Sequence, residues 1–81
     1  MSPLLSEAIA AQTELERLLD ELPALSPDHE TVALTLAEVR TVVQRLQGRA
    51  VEAGEVVSEI RGTTYAARAL VRALRERRNR A

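Results

Sequence analysis

The sequence predicts an all-α protein: a small antiparallel bundle of three helices with a long central helix, completed by dimerisation. Three observations carry that expectation. Val32, Leu36, Val39, Val43, Leu46, Ala50, Ala53, Val57 and Ile60 follow one another at alternating steps of four and three. That spacing holds one apolar seam on one side of an α-helix, and a seam must be buried against other helices. Hydrophobic residues make up 46% of the chain but aromatics only 1%, the lone Tyr65, so the core must be Leu, Val, Ile and Ala, which suits closely packed helix pairs. Finally, 81 residues without a cysteine lie near the lower size at which one core is self-sufficient, with no disulfide to help. Small chains without such staples often gain stability by oligomerising.

Each helix has its own justification. Ser2-Pro3 reads as a start, with serine as N-cap and proline at the first helical position. Leu4, Ala8, Ala11, Leu15, Leu18 and Leu22 then repeat the four-three spacing, and Leu5, Ile9 and Leu19 widen the stripe. A broad stripe needs more than one neighbour, which favours a bundle over a two-stranded zipper. Pro23 ends this helix, because the residue before a proline is pushed out of helical geometry. The first helix is therefore expected over 3–22.

Ser26-Pro27-Asp28-His29-Glu30 is the clearest start signal: a cap, a first-turn proline and two acids at the positive end of the helix dipole. The long ladder follows. Gly48 and Gly54 interrupt it, each costing about 1 kcal/mol relative to Ala, but the heptad phase survives both. A continuous helix over 27–61 is expected, with a break around Gly48–Gly54 as the alternative. Gly62 suits a left-handed C-terminal cap, and Thr63 or Thr64 can open a third helix over 63–78. The ladder phase also continues through Thr64, Ala67, Val71 and Leu74, which allows a fused helix. The basic tail, 76–81, is expected to fray.

At 1.5 Å per residue the middle helix would be about 50 Å long, against about 30 and 25 Å for its neighbours. Each short helix would cover half of it, leaving an apolar face open for a second copy. The expected dimer or partner interface is therefore Leu36, Val39, Val43, Leu46, Ala50, Ala53 and Val57.

Net charge is −1 but lopsided. Residues 1–30 carry seven acids against Arg17, whereas residues 62–81 carry six arginines against Glu76. The ends are expected to pair electrostatically, within or between chains. All eleven basic residues are arginine, which fits GC-rich coding. Arg68, Arg72 and Arg75 share one helical face at steps of four and three, and with Arg78 they are the candidate contacts for an anionic partner. The absence of other aromatics counts against single-strand nucleic-acid binding. Val57–Leu74 has the length of a helix-turn-helix with Gly62 at its turn. Arg68, however, falls where a recognition helix buries an aliphatic residue.

No catalytic, cofactor or metal motif is present: no glycine-rich phosphate loop, no nucleophile elbow, no carboxylate–histidine set at ligand spacing. His29 reads as a solvated helix-terminal residue, and Tyr65 as a packing residue with its hydroxyl at the edge, with an exposed tyrosine anchoring a partner as the alternative. No run of eighteen apolar residues occurs, and Glu7 interrupts the apolar stretch of Met1–Gln12 without a basic segment before it. The sequence thus leads to a cytoplasmic, non-enzymatic helical interaction or adaptor module without a cofactor. Its expected partner is itself or another helical protein. A small nucleic-acid-binding regulator using the arginine-rich C-terminal helix is the alternative.

Overall fold

Serine and proline set the boundaries of the first two helices. The computed structural model describes residues 3–48 and 54–80, with the backbone alone for 54–56. Among these residues there are three helices and no strand: α1 (Pro3–Glu21), α2 (Pro27–Gly48) and α3 (Gly54–Arg80). The last turn of α1 closes with the Leu22 N–H donating to the Leu18 carbonyl at 3.0 Å, and Pro23 permits no further turn. Ser26 caps α2 as its sequence suggested. Its Oγ accepts the His29 backbone N–H at 3.1 Å and donates to the Pro23 carbonyl at 2.8 Å. The Ser2 cap expected for α1 lies outside the described residues.

The expected 27–61 helix is corrected. One helix ends at Gly48 and another starts at Gly54, and the geometry shows that they lie side by side. Arg45 Nη1 is 3.8 Å from Glu59 Oε1, whereas a straight helix would separate positions fourteen apart by roughly 21 Å. Gly48 closes α2 and Gly54 opens α3, and both residues weaken helix propensity. The expected boundary at Gly62 is corrected too. Gly62 lies inside α3 without positive φ, so it is neither a left-handed cap nor the turn of a helix-turn-helix. The buried stripe Ile60, Thr64, Ala67, Val71, Leu74 runs past it unbroken. Burial of that stripe outweighs the cost of one glycine, about 1 kcal/mol. The fused alternative is the one adopted, and α3, with 27 residues, is the longest helix in place of α2.

The core draws on all three helices. Ala8, Ala11, Leu15 and Leu18 come from α1; Val32, Leu36, Val39, Val42 and Val43 from α2; Ile60, Ala67, Val71 and Leu74 from α3. The alanines let backbones approach closely, as a core without aromatics requires. Leu15, Leu18, Val32, Val39 and Ile60 are completely shielded from solvent, and full burial of such side chains is worth about 1.5–3 kcal/mol each.

Ion pairs bind the edges. Arg40 Nη2 sits 3.5 Å from Glu16 Oε2 between α2 and α1, and Arg77 Nη2 sits 3.0 Å from Asp28 Oδ1 between the end of α3 and the start of α2. Arg78 donates to Glu21 at the end of α1, and the expected fraying of 76–81 is corrected over its described part: α3 stays helical to Arg80 because these contacts hold it to the bundle. The molecule measures 43 × 20 × 20 Å, its long dimension close to the roughly 40 Å that α3 spans at 1.5 Å per residue. Among the described residues no helix is long and apolar enough to cross a membrane.

Candidate interaction surface

Beside the buried stripe of α3 runs a second one. Arg61, Tyr65, Arg68, Arg72, Arg75 and Asn79 repeat at the same steps of four and three, one position further round the helix. All six are exposed. Because they share the heptad period of the core, they stay in line along the edge of the α1–α3 contact. Across that edge α1 supplies Glu7, Glu14 and Glu21, one heptad apart.

Three shallow clefts mark the seam between these rows. The widest, about 430 Å³, is lined by Glu7 from α1 and by Arg61, Thr64, Tyr65, Arg68 and Arg72 from α3. The next, about 250 Å³, joins Glu14 to Arg68, Arg72 and Arg75. The last, about 330 Å³, joins Glu21 to Arg75, Arg78 and Asn79. Shared lining residues make them one trough, with mainly carboxylates on one wall and mainly guanidiniums on the other.

Six arginines of α3 divide into two groups. Arg77 and Arg78, at the bundle end, are held by Asp28 and Glu21. Arg61, Arg68, Arg72 and Arg75 have no carboxylate within 4 Å among the described residues. Glu21 registers the first group: the hydrogen bond from Arg78, and then the Arg78 charge, hold its carboxyl below the ordinary glutamate value. Desolvation opposes this, and the Arg75 and Arg17 charges add smaller lowering contributions.

Two side chains in the trough stand out. Tyr65 is 78% exposed, which corrects the expectation of a packing residue. It falls in the arginine row because the buried register belongs to Thr64. Thr64 is only 3% exposed, yet its Oγ1 is buried without a hydrogen-bond partner. Thr13, Thr31, Thr35 and Thr41 differ, each donating to the carbonyl four residues earlier.

The expected apolar interface is placed elsewhere. Leu36, Val39 and Val43 are already buried within the single chain. Leu46 and Val57 are partly buried, and Ala50 and Ala53 lie outside the described residues. Residues of α1 and α3 join Leu36, Val39 and Val43 in one core, on the seam that a second copy was expected to cover. Of the expected anionic contacts, Arg68, Arg72 and Arg75 form the open row, whereas Arg78 is engaged with Glu21. Arg61 and Glu7 were not among the expected contacts, although their heptad spacing is visible in the sequence; Glu14 and Glu21 belong to the acidic head expected to pair with the basic end. Among the described residues no cluster of His, Asp or Glu is disposed to hold a metal.

Comparison with protein families, curated proteins and solved structures found no match.

Proposed function

We propose that the chain is a non-enzymatic helical interaction module that presents the arginine–tyrosine row of α3 to another protein. The observation that carries this reading is the contrast between the two stripes of α3. The apolar one is covered within the chain, and the neighbouring row is open, charged and centred on an exposed tyrosine. Arginine and tyrosine are the residue types that most often anchor protein interfaces, since they combine large contact area with directional hydrogen bonding. A second copy pairing through Leu36, Val39 and Val43 would first have to open the bundle that buries them.

The open guanidiniums also favour a second reading, binding of duplex nucleic acid through phosphate contacts. Glu7 and Glu14 on the facing wall of the trough oppose it, because they would repel the phosphate backbone. A gel shift at about 0.15 M salt, where the screening length is about 8 Å, is expected to show no complex.

The direct test is photo-crosslinking in the native host from position 65, with position 34 on α2 as the control, since Leu34 is also exposed. Protein adducts from 65 that survive nuclease and disappear with Arg72→Glu are expected. Equal adducts from both positions, or adducts lost on nuclease treatment, would contradict the reading.

A further inference from the structure

Resting on that reading, we infer that the α1–α3 trough receives a net-acidic α-helix from its partner, laid lengthwise beside α3. Charge fixes the sign of the partner. Among the described residues the trough holds four guanidiniums without an ion pair, Arg61, Arg68, Arg72 and Arg75, against two such carboxylates, Glu7 and Glu14. The surface therefore keeps an excess of positive charge. A second copy meeting it through the same trough would bring the same excess and repel it, so the complement is a segment richer in Glu and Asp than in Arg and Lys. Electrostatic complementarity of this kind selects the partner and speeds encounter more than it adds affinity.

Periodicity fixes the partner's shape. Arg68, Arg72 and Arg75 are spaced by four and three on a straight helix, about 6 and 4.5 Å along its axis at 1.5 Å per residue. A second helix lying alongside meets them with acids at the same steps of four and three, each carboxylate accepting from one guanidinium. Along the same row Tyr65 offers its ring to an apolar residue one turn from the acids, and Glu7 and Glu14 reject a helix whose row is acidic throughout. Their removal should therefore tighten binding.

The test uses the full chain and a synthetic Ala-based helix with three glutamates at steps of four and three and a leucine one turn beyond them, in place to meet Tyr65. Three comparison probes accompany it: the same peptide with lysines, a composition-matched peptide interrupted by prolines, and a 20-base-pair duplex. Binding is read by fluorescence anisotropy at low and physiological salt. The acidic helix should bind, more weakly as salt rises. Arg68→Glu/Arg72→Glu should weaken it about tenfold, equivalent to a few surface charge contacts, and Glu7→Gln/Glu14→Gln should strengthen it a few-fold. All four residues are at the surface and outside the core, and circular dichroism checks that each variant is folded. Equal binding of the proline-interrupted peptide would overturn the helix inference and leave the interaction-module reading standing. Binding of the duplex alone would overturn both. No binding of the acidic helix, or binding insensitive to the arginine reversal, would overturn the inference.

Discussion

Arg45, one turn from the end of α2, and Glu59, near the start of α3, face each other at 3.8 Å across the fold. Arg77 and Asp28 do the same at the opposite end of these two helices. Together the pairs set a register in which Glu38 lies near the height of Ala66. Spin labels at these two exposed positions should report helix neighbours, with axes about 8–10 Å apart. A single straight helix would hold the same positions roughly 42 Å apart. Long distances would mean that the ladder is one rod. The ion pair itself should contribute less than about 1 kcal/mol in a double-mutant cycle, because both side chains are substantially exposed.

Gly62→Ala should stabilise the chain by about 0.5–1 kcal/mol. The position is helical without positive φ, and an added Cβ would meet nothing within 4 Å. Urea denaturation measures the change. A loss of stability would place a turn at Gly62 after all.

Thr64→Val should also stabilise, by about 1 kcal/mol. It replaces a buried hydroxyl lacking a partner with a methyl group of similar size. Thermal and urea melts should shift together. A destabilised variant would show that the hydroxyl is hydrogen-bonded in solution.

Glu21 should titrate below ordinary glutamates in a carboxyl-resolved NMR experiment, and Arg78→Gln should bring it back towards them. A carboxyl with a depressed folded-state value stabilises the fold fully above its unfolded value, near 4.5. That contribution is lost as pH falls from there through the folded value. Its loss should be absent in Arg78→Gln and reduced by added salt. A titration of Glu21 unchanged by Arg78→Gln would sink this assignment.

How far the sequence could be read depends on which forces act locally. The Ser26 cap, the stop at Pro23 and the apolar stripe of the first helix follow from neighbours a few residues away, and they stand as read. The separation of α2 from α3 does not. From Val32 to Leu74 the four-three ladder keeps its phase whether the chain runs straight or turns back, so periodicity alone cannot separate a rod from a hairpin. Gly62 and Gly54 have the same local propensity. The distinction comes from tertiary packing, which buries Ile60 and Thr64 on either side of Gly62. The arginine row was legible at Arg68, Arg72 and Arg75; its extension to Tyr65 and Arg61 depends on α3 running unbroken through Gly62, and the carboxylates facing it depend on which helix α3 packs against.

The central claim is that one chain closes its own apolar seam, leaving the arginine–tyrosine row as the surface for others. It is tested most directly by thermal unfolding followed by circular dichroism over a hundredfold range of protein concentration, with sedimentation equilibrium at the same concentrations. A self-contained bundle predicts a helical monomer whose Tm is independent of concentration, and Val43→Asp should unfold it by placing a charge in the core. A Tm that climbs with concentration, with helicity lost on dilution, would mean that Leu36, Val39 and Val43 are buried between chains and would contradict the account.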